Sequence, residues 1–218
     1  MGTKIHVETL NVMTYIWNVI ILNKISEVKM ATTSSSGAGV KKAVWLVDKS
    51  HTKIQFSARH MIISEVTGHF TDYELTMKAS DSFEDAEIEF DVNIASIDTG
   101  IKDRDNHLKS PDFFDAEKFP KMIFKSKKIQ KINDEKFKLT GDFTIKDIVK
   151  TIDLDVTYGG TIKDPWGNTR AGFRIQGAVN RFDYGLKWNA LMETGGAVVS
   201  KNINITCDVE ITKQADSK

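Results

Sequence analysis

The sequence predicts an all-β protein, a closed antiparallel barrel of about eight strands. Three observations carry this. After residue 43 apolar and polar residues alternate in segment after segment, the period of half-buried antiparallel strands. Several segments run to about ten residues, roughly 33 Å at the usual rise per residue. Most neighbours are joined by short turn signals in the order of an up-and-down meander, and long strands in that order favour closure over a small sandwich.

The elements follow in chain order. Residues 1–43 read as an extension, with an apolar run LNVMTYIWNVIIL at 10–22 and a linker ATTSSSGAG at 31–39. The run is shorter than the roughly 20 residues that span a bilayer, so no integral membrane segment is expected. It has the length of a signal-peptide core, but Lys4, Glu8, Lys24, Glu27 and Lys29 make poor flanks, and the cleavage candidate Ser36-Gly37-Ala38 lies far downstream. Met30 opens an alternative start, MATTSSSGAG. A cytoplasmic location is the expectation, with a periplasmic or secreted one if residues 1–38 act as a signal peptide. The barrel domain is placed at 44–213 and a tail at 214–218.

Inward parity is read for Ile54, Phe56, Ala58 and His60; for Tyr73, Leu75 and Met77; and for Ala86, Ile88, Phe90, Val92 and Ile94. It continues through a strand at 121–129, then Phe137, Leu139, Phe143 and Ile145, then Ile152, Leu154, Val156 and Tyr158. Ala171, Phe173, Ile175 and Val179 follow, and Ile203, Ile205, Cys207, Val209 and Ile211 close the series. Asn133-Asp134, Gly159-Gly160 and Asp164-Pro165-Trp166-Gly167-Asn168 are the expected turns. The polar face is dense in charge (Glu87, Glu89, Asp91, Lys136, Lys138, Asp142), so the apolar face is inside, the reverse of a membrane barrel.

Composition excludes several functions. Lys+Arg and Asp+Glu are both 30 in 218 residues, which lacks the basic footprint of a nucleic-acid binder. The single cysteine, Cys207, allows neither an intrachain disulfide nor a multi-cysteine metal site. There is no G-x-S-x-G, no H-E-x-x-H and no Gly-rich phosphate loop. No metal, cofactor or catalytic set is expected, and a homodimer is compatible with the sequence.

One stretch breaks the alternation: DTGIKDRDNHLKSPDFFD at 98–115. Asp103 and His107, and Arg104 and Leu108, are four apart and would stack on a short helix. Asp98-Thr99 offers a start and Pro111 a stop. This is the one long excursion the sequence offers for covering the barrel mouth. Asp98, Arg104, Asp105 and His107 are expected to form a polar mouth network, Arg104 bonding a nearby carboxylate. Phe113 and Phe114 would close over a cavity lined by Ile54, Phe56, Ala58, His60, Phe70, Phe90, Phe143 and Phe173. His51, His60 and His69 read more readily as satisfied polar groups than as metal ligands, although an inward His60 also suits a ligand headgroup. Two rival functions remain at this stage: an enzyme using His60 or the Asp103–His107 group, and a filled barrel that acts only as an interaction module.

These residues carry a resemblance. Trp45-x-x-Asp48-x-x-His51-Thr52-x-Ile54-x-Phe56, Arg104-Asp105-x-His107-Leu108-Lys109-Ser110, Phe113-Phe114-Asp115, Leu139-Thr140-Gly141-Asp142-Phe143-Thr144-Ile145-Lys146 and Asn180-Arg181-x-Asp183-Tyr184-Gly185-Leu186 resemble the ordered blocks of the YceI-like family over about 44–213. One departure is Asp147-Ile148 after Lys146, where members often carry glycine, a change to a turn more than to a pocket. The resemblance implies a lipocalin-like barrel with an elongated apolar cavity. It also implies binding of a polyprenyl or quinone-type lipid without catalysis. Strand number alone does not imply a cavity, because eight strands can be filled by side chains.

Overall fold

The computed structural model describes residues 41–189 and 198–215; the 10–22 run and the linker lie outside the described residues. Among those described, eleven strand segments form one sheet. β1 (Ala43–Val47) and β2 (Lys53–His60) lie end to end along β11 (Val199–Lys213). β3 (Ser64–Phe70) and β4 (Tyr73–Ala79) return along β2 and β1. β5 (Glu87–Asn93) pairs with β4, and β6 (Ile97–Asp98) pairs with β3. Each of these pairs is one long barrel strand with an interruption. β7 (Lys121–Lys131), β8 (Lys136–Ile145), β9 (Ile148–Lys163), β10 (Thr169–Asn180) and β11 complete eight staves in sequential order. Pairing of β1 and β2 with β11 closes the barrel.

The interruptions have local causes. Between β1 and β2 the ladder is kept by a side chain: the Glu210 amide donates to the Thr52 hydroxyl at 3.0 Å, and the Asp48 amide donates to the Glu210 carbonyl at 2.8 Å. Between β5 and β6 the Asn93 side chain accepts from the Ala95 amide and caps a single 3-10 turn, Ile94–Ser96. β3 escaped sequence reading because its inward set is Val66, Gly68 and Phe70, and a glycine in the middle hides the alternation.

Inward residues make a large core, with Trp45, Ala79, Ile94 and Ile211 at most 1 % exposed, and a smaller cluster of Phe124, Leu139 and Leu154 joined to it by half-buried neighbours such as Phe143. The outer face carries cross-strand ion pairs. Lys125 opposes Glu89 at 2.7 Å and Lys138 opposes Asp155 at 2.6 Å. Such exposed pairs are each worth roughly 0.2–1 kcal/mol; their main effect is to keep this face in water.

Two expectations are corrected. Gly159-Gly160 is no turn: both residues lie inside β9, where Gly160 has φ +111°. There the pairing with β10 slips by one residue between Gly172 and Phe173, so the glycines serve a bulge. Nor is 98–120 the one long crossing of the mouth. The connection from β10 to β11 also crosses it, through a 3-10 turn at Arg181–Tyr184 and the segment to Asn189. Its hydrophobics follow no regular period, so sequence reading passed over it. The family departure at Asp147 falls in the tight β8–β9 turn between Ile145 and Ile148; the left-handed residue of that turn is its neighbour Lys146, φ +58°.

Gly141 shows how tightly the wall is packed. A Cβ there would sit 2.3 Å from the Phe124 ring and 2.6 Å from the Lys125 carbonyl oxygen. Gly141→Ala is expected to cost about 1–3 kcal/mol by overpacking, lowering the thermal midpoint by roughly 2–12 °C. Gly172→Ala, whose added Cβ meets nothing within 4 Å, should leave the midpoint nearly unchanged. Thermal unfolding of both variants checks this.

Candidate functional site: an apolar cavity along the barrel axis

The closed sheet leaves a cavity of about 500 Å³. Its walls include Ile54, Phe56, Ala58, His60, Phe70, Phe90, Phe143 and Phe173 from the strands, and Phe113 and Phe114 from the mouth segment. Seven of these, from Ile54 to His60 on β2 and Phe90, Phe143 and Phe173, follow from strand parity; Phe70, Phe113 and Phe114 border the same space from β3 and the mouth segment. Phe56 reaches the bore because its cross-strand partner is Gly68: a Cβ on Gly68 would lie 2.4 Å from the Phe56 ring. Cys207 lines the same wall, 7 % exposed, and burial pushes its thiol up to about 12.

The floor is aromatic. Phe83, on the connection between β4 and β5, inserts under the barrel in a left-handed conformation, φ +59°. Its ring lies 5.2 Å from Trp45, 5.6 Å from Tyr158 and 5.1 Å from Phe173, the last edge-on. The turn is clamped by Asp85, which accepts from the Ser80 amide and hydroxyl at 2.9 and 2.8 Å. Phe83 sits in a turn rather than an alternating strand, so no periodicity pointed to it.

Polar groups collect at the other end. Helix α1 (Lys102–Lys109) starts at Ile101, without a side-chain cap, and stops at Ser110, one residue before Pro111. Thr99 is used instead as a hub. Its amide and hydroxyl donate to Asp105, and it accepts from Arg104 Nε through the hydroxyl and from Nη2 through the carbonyl, both at 2.7 Å. Arg104 therefore bonds a threonine, not the carboxylate expected. His107 pairs separately with Asp112 at 3.0 Å, and Asp98 accepts from the Gly100 amide at 2.7 Å. Of the four polar residues expected at the mouth, Arg104 and His107 border the cavity, and Asp98 and Asp105 support it from behind.

The two crossing segments are latched by rings. His107, Phe113 and Trp188 stand 4.9–5.2 Å apart, centre to centre. Arg181, 4 % exposed, fastens the second segment. Its Nη1 donates to the Leu186 and Trp188 carbonyls at 2.6 and 2.8 Å, and its Nε to the Ser200 carbonyl at 2.9 Å. Arg181 and Trp188 were not among the expected site residues; the Asn180-Arg181 block was visible as a motif, but nothing local placed it at the cavity.

A second polar cluster lies outside the barrel at the floor end. Asp48, His51 and Glu210 bring ligand-type atoms within 4.8 Å of one another. Arg170 Nη1 already donates to both carboxylates, with Glu210 Oε1 at 2.6 Å, and Nε donates to Asp164 at 2.7 Å. The guanidinium is the cation of this group. It holds Asp48 and Asp164 down at about 2 and is itself raised. The cluster fastens the β1–β2 bend to β10 and β11, which gives the Asp48-x-x-His51 signature a structural role.

With the geometry in place, the comparisons fit it closely. The YceI-like domain family matches residues 45–211. The chain belongs to the YceI-like family. Curated relatives are UPF0312 proteins: one from Staphylococcus epidermidis is 34% identical over 167 residues, 76% of this chain and 95% of that one. One from Staphylococcus aureus is 31% identical over the same shares. Among solved structures, a Campylobacter jejuni YceI protein matches with TM-score 0.64 and 34% identity, covering 72% of this chain and 90% of that one. A polyisoprenoid binding domain from Saccharophagus degradans matches with TM-score 0.57 and 13% identity, over 80% of this chain and 100% of that one. No helix among the described residues is long and apolar enough to cross a membrane.

The floor cluster gives a pH prediction. Carboxylates whose folded values are depressed add stability above their unfolded value near 4, and that stability is lost as pH falls through about 2. Arg170→Ala should lower the thermal midpoint at pH 7, since it leaves Asp48, Asp164 and Glu210 without their cation. The gap in thermal midpoint between variant and wild type should close between about pH 4 and pH 2. A gap unchanged across that window would contradict the assignment.

Proposed function

We propose that this YceI-like barrel holds the apolar tail of a long-chain isoprenoid lipid, a polyprenyl lipid or an isoprenoid quinone, and binds it without transforming it. The observation that carries the proposal is the cavity itself, walled by aliphatic and aromatic side chains and floored by aromatic rings, with its charged lining residues at the mouth. The Saccharophagus degradans neighbour, a polyisoprenoid binding domain, supports the same reading. A cavity lined from the aromatic floor to the mouth segment suits an apolar tail.

Energetics limit the role. Burying a methylene is worth about 0.8 kcal/mol against water. Against a bilayer the gain is near zero, because the tail already lies in hydrocarbon. Such a barrel does not concentrate lipid from membranes by hydrophobicity; it shields a tail in water, as a carrier, reservoir or sensor. The reading without chemistry rests on the lining. The Cys207 thiol on the wall is kept protonated by burial and offers no thiolate nucleophile to a bound lipid.

Mass spectrometry of an organic extract of the purified full chain tests this. A long-chain isoprenoid should be found, and lipid-stripped protein should take up an added prenyl lipid at one per chain. Phe56→Asp should abolish retention and destabilise the fold by burying an unpaired charge. Ala58→Phe, which narrows the bore without a charge, should fold and hold less lipid. An empty extract together with no uptake of added lipid would contradict the proposal.

A further inference from the structure

The charges that border the cavity are unbalanced. Among the described residues its lining includes Arg59, Arg104 and Arg181, against one acidic residue, Asp103. Arg181 is the informative member. It is almost fully buried, and its hydrogen bonds to protein all go to neutral carbonyls: Ser200, Leu186, Trp188 and, at a long 3.3 Å, Val199. Among the described residues no carboxylate forms an ion pair with it. Burial alone pushes its guanidinium below the ordinary value. Five N–H donors are present on a guanidinium; three are taken by short bonds, Nη2 makes only the long one, and so one N–H is left over.

A buried charge without a partner is expensive. Carbonyl dipoles offset part of that cost here but do not neutralise the charge. Arg104 repeats the pattern with less burial: Nε and Nη2 go to Thr99, and no carboxylate pairs with it among the described residues. Both arginines border the mouth end of the cavity, while the floor end is lined by rings and aliphatic side chains. A tail running to the floor would present its head to two cations. Charge-assisted bonds from guanidinium to a carboxylate or phosphate are the strong ones, and arginine's planar fork is suited to both.

We infer that the cavity selects lipids with an oxyanion head, a phosphate or a carboxylate, over neutral-headed lipids of the same tail, and that Arg181 sets this selection with help from Arg104. The inference rests on the proposal that the barrel takes a lipid tail, and it goes further by naming the chemistry of the head. It ranks a prenyl phosphate above the matching prenol, and a fatty acid above the matching fatty alcohol.

The test is a set of displacement titrations on lipid-stripped full chain, with a fluorescent prenyl probe displaced by a prenyl monophosphate, the prenol of equal length, a long-chain fatty acid and its alcohol. Wild type should bind the phosphate or the acid at least tenfold more tightly than the corresponding alcohol. A gain confined to the phosphate pair assigns the head to phosphate; a gain in both pairs assigns it to oxyanions in general. Arg181→Met should bring the charged-to-neutral ratio towards one, and Arg181→Lys, which keeps the charge, should restore part of it. If Arg181→Met does not fold, the wild-type ratios and the loss of the ratio in Arg104→Gln still decide. Equal affinity for charged and neutral heads in wild type would overturn the inference and leave tail binding standing. Failure of all four lipids to displace the probe, or of the probe to bind, would count against tail binding itself.

Discussion

Everything in this molecule depends on one pairing, the closure of β11 onto the β1–β2 strand. β11 is fifteen residues long and is bonded along one side to β10, residue against residue from Arg170–Thr212 to Asn180–Asn202. Its other side is shared by β2 near the mouth and β1 near the floor. Closure satisfies the backbone groups of both would-be edges and turns every apolar face inward. Eight staves enclose more width than their own side chains fill, so the same constraint that removes the edges creates the cavity.

The two ends of the barrel are finished by different physics. At the floor, aromatic packing around Phe83 and the Arg170 ion cluster outside it tie strands distant in sequence, Asp48 to Arg170 and Arg170 to Glu210. At the mouth, two chain segments meet through three rings and through hydrogen bonds to backbone carbonyls from Arg181. The floor is held by bonds between strands of the barrel. The mouth is held by contacts between connections, which can part without disturbing a ladder. On the proposed lipid-binding reading, the mouth is the end through which a ligand would pass, and the charged lining residues stand there.

Much of the architecture was legible because period two survives wherever a strand faces water on one side and core on the other. Ile54, Phe56, Ala58, His60, Phe90, Phe143 and Phe173 meet at one cavity because parity fixes direction in a twisted sheet whatever the strands' order. What failed to read was whatever breaks the period. Gly68 hid β3, and Gly159-Gly160 mimicked a turn where β9 carries a bulge. Phe83, Trp188 and Arg181 act from connections, where no repeat exists to orient them. The polar residues of α1 could be listed from the sequence, but not their partners. Whether Arg104 meets a carboxylate or Thr99 is decided by the fold of the loop before the helix.

The central claim is that a lipid tail lies inside the barrel, past its midpoint. Cys207 reports on this directly: it is the one cysteine of the chain, it stands opposite Ile54 and Ile175 in mid-barrel, and it borders the cavity. The decisive measurement is the rate at which a small apolar thiol reagent modifies Cys207 in lipid-stripped protein, with and without saturating long-chain prenyl lipid. The rate is followed at one fixed alkaline pH and over long times, because burial keeps the thiol protonated near neutrality. The account predicts that long-chain lipid suppresses the reaction at least tenfold, and that a short-chain analogue too short to reach mid-barrel protects little. An unchanged rate under saturating long-chain lipid would place the tail elsewhere and contradict the account.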